Sequence, residues 1–274
     1  MKRKLTIFII TWMLTLIVSC VPSTGNQNNV LMKEKLSSVE AAKKRLEELA
    51  NKNLDWFGKD GWVHYVRTPL PGGIDKFRYY SQERWLFLED GQVKKDLLIV
   101  VDPITEAEIQ RYVMDETGIR VELVELRASG MNARQFAVPI ETQWTVTNVS
   151  DIWMDLGILN ALEKFITSIE LVELKHAGTD CVMMTVEYQG DPEIRQLGLP
   201  PSEGKIGKRE QFIYEIASGV RVQYSRGFIN ENGQVDEPNT FTEKTELIAT
   251  ISDEVGKEWD MSKKELIFYK TLFE

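Results

Sequence analysis

"CVMMTVEYQG", Cys181 to Gly190, and "QFIYEIASGVRVQYSR", Gln211 to Arg226, alternate apolar and polar side chains more cleanly than the rest of the chain. Successive side chains of a strand point to opposite faces. Val182, Met184, Val186 and Tyr188 therefore share one face, and Met183, Thr185 and Glu187 the other. The second stretch turns at Ser218-Gly219, after which Val220, Val222 and Tyr224 oppose Arg221, Gln223 and Ser225. Both stretches read as half-buried strands of an antiparallel sheet with one wet face.

Just upstream, "SDIWMDLGILNALEKFI" has a different period. Ile152, Leu156, Leu159, Leu162, Phe165, Ile166 and Ile169 follow a helical stripe despite Gly157, which predicts a helix over Asp151 to Ile166 capped by Ser150 or Asp151. Downstream, "FINENGQVDE" carries an Asn232-Gly233 turn and "FTEKTELIATI" supplies its partner strand; "ELIFYKTLF" is too short for its period to decide between helix and strand.

The first half repeats the theme. Ser37 with Glu40 makes a capping box with Leu36 as its staple, and Val39, Ala42, Leu46 and Leu49 recur at helical spacing, so a helix is expected over Ser37 to Ala50. Strands are expected from Trp56 onward. "GWVHYVR" ends at the turn tract "TPLPGG", and "RWLFLEDGQVKKDLLIVVD" places Asp90-Gly91 between two apolar runs, the strongest short hairpin signal in the chain. "EIQRYVMDETGIRVELVEL" continues through Gly118, and "RQFAVPI" and "QWTVTNV" add β-rich segments. Helix, long meander, helix and second meander make an α+β arrangement. Some ten antiparallel strands have to curl around helices packed on the concave face.

That order resembles the LolA-like superfamily, the curved half-barrel of bacterial lipoprotein carriers, related lipoproteins and periplasmic regulators of anti-sigma factors. The stretches that carry the resemblance are the opening helix, "GWVHYVR" and the late pair "CVMMTVEYQG" and "QFIYEIASGVRVQYSR", and it extends from about Ser37 to Asp253. It implies the fold and brings no functional residue with it.

The N-terminus gives an address. Lys2, Arg3 and Lys4 precede an apolar run of 14 residues, Leu5 to Val18, and then the small Ser19. This is the form of a secretion signal, and it falls short of the ~20 residues that cross a bilayer as a helix. Ile17-Val18-Ser19-Cys20 resembles the bacterial lipobox, which implies cleavage between Ser19 and Cys20 and acylation of the Cys20 thiol, with chains such as palmitate. Residues 20–32, including "VPSTGNQNN", read as an acylated cysteine and flexible tether; nine such residues span roughly 15 to 18 Å. Residues 33–274 are expected to form one domain. Acylation of Cys20 leaves Cys181 as the only other cysteine, so no intrachain disulfide is expected.

The formal charge of -9 becomes -12 once Lys2, Arg3 and Lys4 are removed. Such a surface repels phosphate backbones, which argues against nucleic acid and leaves the covalent lipid as the membrane link. The expected location is the outer face of the cell membrane, or an outer membrane where the host has one, since Val21 carries no acidic retention signal. Catalytic signatures are missing from the sequence. His64 and His176 lie 112 residues apart with no Cys or His at ligand spacing, and no G-x-S-x-G, P-loop or G-x-G-x-x-G occurs. His64 reads as a satisfied strand histidine beside Trp62 and Val66, and Cys181 as a small core residue. Asp115-Glu116, Asp253-Glu254 and the Glu106 and Glu108 tract beside "DPIT" read as solvated carboxylates rather than a glycosidase or calcium site. Neither cofactor nor metal is expected.

The expectation is therefore a non-enzymatic, membrane-anchored lipoprotein that binds an apolar ligand, a lipid or acyl chain, in the concave sheet. The ligand-binding candidates are Met184 and Tyr188 on the strand, with Leu197 and Leu199 on the 19-residue segment "GDPEIRQLGLPPSEGKIGK" that leaves its end. The alternative is an envelope protein-interaction or sensing module whose cavity is filled by its own helices.

Overall fold

The structure is a computed structural model that describes residues 35–36, 38–70, 80–103, 105–116, 118–123, 135–138, 145–190, 204–236 and 239–261. Ser19, Cys20, the tether, Ser37, Leu197, Leu199 and "ELIFYKTLF" lie outside them.

One antiparallel sheet contains twelve strands. They are β1 (Lys35–Leu36), β2 (Gly61–Pro69), β3 (Ser81–Glu89), β4 (Gln92–Val101), β5 (Glu108–Asp115) and β6 (Gly118–Leu123). The rest are β7 (Gln135–Val138), β8 (Ile166–His176), β9 (Thr179–Gln189), β10 (Lys205–Glu215), β11 (Arg221–Asn230) and β12 (Asn239–Ile248). Their spatial order is β1-β8-β9-β10-β11-β12-β2-β3-β4-β5-β6-β7. Two meanders thus meet where β12 lies against β2, with Ile248 opposite Trp62 and Phe241 opposite Pro69. The sheet stays open, and with its helices forms an α+β half-barrel.

The Asp90-Gly91 hairpin forms between β3 and β4, with φ of 53° and 69° at the two residues, as a type I′ turn requires. The clean alternation of the late pair also holds on β9. Val182, Met184, Val186 and Tyr188 are buried, while Met183, Thr185 and Glu187 are only partly so.

Three boundaries differ from the sequence reading. Helix α1 runs Val39–Phe57, its N-cap being Ser38, whose Oγ accepts from Ala41 N at 3.2 Å. It therefore passes Trp56, where strands were expected. Its buried stripe continues from Leu49 through Asn53 to Phe57, and the polar Asn53 hides that continuity in the sequence. Gln143 and Trp144 of "QWTVTNV" lie outside the described residues, and the remainder is not a strand: Thr145 makes an isolated bridge to Gln92, and α2 (Val146–Val149) is a short helix that buries Val146 and Val149. Helix α3 (Asp151–Leu162) ends earlier than Ile166, in a 3₁₀ turn at Glu163–Phe165, and Ile166 and Ile169 belong to β8. Apolar residues spaced three and four apart satisfied the helical pattern there by coincidence.

Helices α1 and α3 fill the concave face over β8–β10. Leu46 and Leu49 of α1 meet Ile152 and Leu159 of α3, with Met184, Val186 and Tyr214 beneath them. A second concave core, Phe57, Val63, Leu86, Met114, Val146 and Val149, lies over β2–β5. A helix absent from the sequence reading, α4 (Asp253–Met261), packs on the other face, where Trp259 meets Trp85, Leu97 and Val113. Not every helix therefore lies in the concavity. On that convex face His64 is held by Glu83 at 2.8 Å and Glu246 at 3.4 Å and stacks on Trp85 at 5.2 Å. It is the satisfied histidine the sequence suggests.

Candidate functional site

Strand pairing places Tyr214 opposite Val182 on one side and opposite Arg221 on the other. Phe212, two residues earlier, pairs with Tyr224, so the register shifts by one residue between Ile213 and Tyr214. This β-bulge breaks the alternation expected along β11. Arg221 and Tyr224 both reach the concave face, and Arg221 is buried at 6% exposure.

A guanidinium in that position needs partners. Helix α3 supplies two, since Asp151 and Asp155 are four residues apart and share one helix face. Nη1 of Arg221 donates to both Asp155 oxygens at 2.8 and 2.7 Å, and Nη2 lies 2.9 Å from Asp151. From β12, Glu243 accepts from Nε and Nη2 of Arg221 at 2.6 and 2.9 Å. Glu243 also accepts from Nε of Arg67 on β2 at 2.7 Å and from the Tyr65 hydroxyl at 3.1 Å. The Tyr214 hydroxyl donates to Asp155 at 2.8 Å. Nearby on β3, Arg84 holds Asp96 of β4 through Nε and Nη2 at 2.8 and 2.5 Å.

Two guanidiniums, Arg67 and Arg221, thus face three carboxylates in a buried setting. One carboxylate is in excess, and the pKa directions follow. Burial pushes Asp155 up to about 7, with Arg221 pulling it down and Asp151 pushing it up. Asp151 is also raised, by burial first. Glu243 is lowered: burial acts against it, but Arg221 and Arg67 both donate to it and outweigh that cost. Arg221 itself is raised well above its ordinary value even though burial opposes the charge, because its three acidic partners win. The arrangement fits a surplus proton shared between Asp151 and Asp155, both of which burial raises.

Beside the cluster is a cavity of about 110 Å³ between the start of α3 and the β2–β4 face. Tyr65, Arg67, Arg84, Asp151 and Arg221 line its polar end. Phe57, Val63, Leu86, Leu98, Ile152 and Met154 belong to its apolar lining, and Asn53, Gln82, Ser150 and Thr245 add further polar groups. Helix α3 is apolar on its outer side too. Met154 and Ile158 are 42% and 44% exposed and stand one turn apart, forming a ridge that leads away from the cavity.

Of the sequence candidates, Met184 and Tyr188 are 1% and 2% exposed in the core beneath α1 and α3, and neither lines this cavity. Leu197 and Leu199 lie outside the described residues. The acidic cluster on α3 and the bulged Arg221 were missed. Asp151 and Asp155 at helical spacing inside an apolar helix were the available signal. Cys181, 1% exposed, is a core residue whose thiol burial pushes up to about 11. Glu108 pairs with Arg111 at 2.6 Å, and Thr105 N donates to Asp102 in the preceding turn. Among the described residues no cluster of three or more His, Cys, Asp or Glu is placed to hold a metal, and no helix is long and apolar enough to cross a membrane.

Sheet and helices together define the class, an α+β half-barrel with helices in its concavity. Solved structures of this kind are similar to the chain. One is the complex of MucA and MucB from Pseudomonas aeruginosa, at 16% identity over 77% of this chain and 60% of that one, TM-score 0.37. A second is the lipoprotein LppX from Mycobacterium tuberculosis, at 12% identity over 73% and 93%, TM-score 0.35. A third is a LolA superfamily protein from Nitrosomonas europaea, at 10% identity over 77% and 96%, TM-score 0.28. The match to the MucA/MucB complex spans less than two thirds of that chain. No protein-family model and no curated protein matches the sequence.

Proposed function

We propose that the chain is an envelope lipoprotein, held by lipid on Cys20, that captures a small amphiphile without catalysing a reaction. The observation that carries this reading is the cavity beside α3. It joins polar groups to apolar ones, and Met154, which lines it, is exposed and stands one turn from the exposed Ile158. Concave apolar pockets with a few convergent polar groups are the usual form of small-ligand sites. At about 110 Å³ the space is smaller than the roughly 150 Å³ that encloses a benzene ring. It takes a headgroup and the first carbons of a chain, and the remainder of the ligand runs out along α3.

Native mass spectrometry of the full-length protein, released from detergent, tests the reading. A co-purifying mass of a few hundred daltons supports capture. A clean apo mass favours a second reading, an envelope interaction or sensing module, for which the filling of the β8–β10 concavity by α1 and α3 is the supporting observation. Anchoring is tested separately. Cys20→Ala is expected to release the protein from membranes, or leave it uncleaved, because the acyl chains are the only strong attachment the sequence offers. Full retention of the variant on membranes after a high-salt wash would end the lipoprotein reading.

A further inference from the structure

A purely apolar ligand makes no use of the cavity's polar end. Three guanidiniums, those of Arg67, Arg84 and Arg221, line it with a single carboxylate, Asp151. Arg221 is fully engaged by Asp151, Asp155 and Glu243; Arg67 also has Asp151 at 3.6 Å from its Nη2, and otherwise Arg67 and Arg84 are each held by one carboxylate. Glu243 takes Nε and Nη2 of Arg67, and Asp96 takes Nε and Nη2 of Arg84. Among the described residues nothing accepts from Nη1 of either. Ser150, Asp151 and Ile152 bring the first turn of the 12-residue helix α3 to the same space. The Ser150 hydroxyl does not cap that turn; it donates to Asn53 Oδ1 at 2.5 Å.

We infer that this end of the cavity is an oxyanion site, which takes the carboxylate or phosphate head of an amphiphile between Arg67, Arg84 and the first turn of α3. Forked guanidinium donors match the geometry of such heads, and a helix N-terminus favours negative charge. The carboxylates that neutralise the cluster stand mostly behind the lining: Asp155, Glu243 and Asp96 hold the guanidiniums in place and do not line the space themselves. This assignment deepens the proposed function and rests on it. The head binds among the guanidiniums, and the tail passes Met154 toward Ile158.

Calorimetric titration of the full-length protein in a non-ionic detergent, with a detergent blank, compares hexanoate, hexan-1-ol and inorganic phosphate. Hexanoate is expected to bind at least 10-fold more tightly than hexan-1-ol. Arg84→Gln alone leaves Asp96 buried and unpaired, so it is combined with Asp96→Asn. The double variant is expected to lose at least 10-fold in hexanoate affinity and to keep its affinity for hexan-1-ol within 2-fold. Should it fail to unfold cooperatively, Arg67→Lys keeps the charge beside Glu243, removes the fork, and is expected to cost at least 5-fold for hexanoate alone. Equal binding of hexanoate and hexan-1-ol overturns the oxyanion site and leaves amphiphile capture standing. Binding of phosphate with neither six-carbon probe supports the site and overturns capture of an amphiphile. Binding of none of the three overturns both.

Discussion

Arg221 is enclosed by three carboxylates and shares two of them, Glu243 and Asp151, with Arg67. Removing its charge strands Asp151, Asp155 and Glu243 around a single remaining guanidinium. Arg221→Gln is therefore expected to destabilise the protein by about 3 to 5 kcal/mol in urea unfolding. The excess carboxylate also sets a pH dependence. Asp155 titrates at about 7 when folded, against roughly 3.9 for an unfolded aspartate. Between those values the folded state keeps a proton that the unfolded chain has lost, so this group lowers stability as pH rises through that window. Its slope is at most about 1.4 kcal/mol per pH unit. Glu243 is lowered and acts in the opposite sense; its contribution is present above the unfolded value near 4.5 and is lost only as pH falls below it. Asp155→Asn should narrow the gap between urea midpoints measured at pH 5 and pH 8, and an unchanged gap would contradict the assignment of the proton. None of this was legible from the alternation along β11, because a bulge is one unpaired residue and leaves no period to detect.

The β10–β11 hairpin was the most readable element in the chain, and its turn shows what the reading could not contain. Ser218-Gly219 was identified as a turn. What lies against it, the middle of α1, is more than 160 residues away in the sequence. Lys52 donates to Ile216 O at 2.9 Å and Asn53 to Ser218 O at 3.4 Å. Gly219 has φ of 65°, and a Cβ there would sit 2.1 Å from Leu49 O. Gly219→Ala thus combines a left-handed backbone with a collision against a helix that cannot retreat from its own core. A loss of about 2 to 4 kcal/mol is expected in urea unfolding. Gly233 is the control: its φ is 74° but the space around it is open, so Gly233→Ala should cost only about 1 kcal/mol. Equal costs at the two positions would mean that α1 does not bear on the turn. Local chemistry reveals turns and strand faces, while the docking partner that makes one glycine indispensable belongs to the tertiary structure.

At the scale of the molecule the sheet separates two independent sides. Inner faces of the strands alternate between apolar residues and the charged cluster, and helices α1 to α3 cover them. The outer face of β2–β5 carries Trp85, Leu97 and Val113 under α4. Period-2 patterning shows that both faces of these strands are partly apolar, but it does not say which is concave. "DEVGKEWDM" is a helix of only 9 residues, too short and too acidic for its period to stand out. This two-sided burial yields a prediction about coupling. Trp259 is 4% exposed, lies 5.4 Å from the Trp62 ring and donates from Nε1 to Met114 O at 3.2 Å. Trp259→Ala removes the main side chain that α4 inserts, and burial of that size is worth about 3 kcal/mol. The cavity lies across the thickness of the sheet, and none of its lining belongs to α4. Unfolding of the variant should therefore occur at lower urea while hexanoate affinity in the folded protein stays within about 2-fold, a change well under the 1.4 kcal/mol of a tenfold shift. A matched loss of both would show that the convex helix supports the cavity through the sheet, and that the two faces act as one unit.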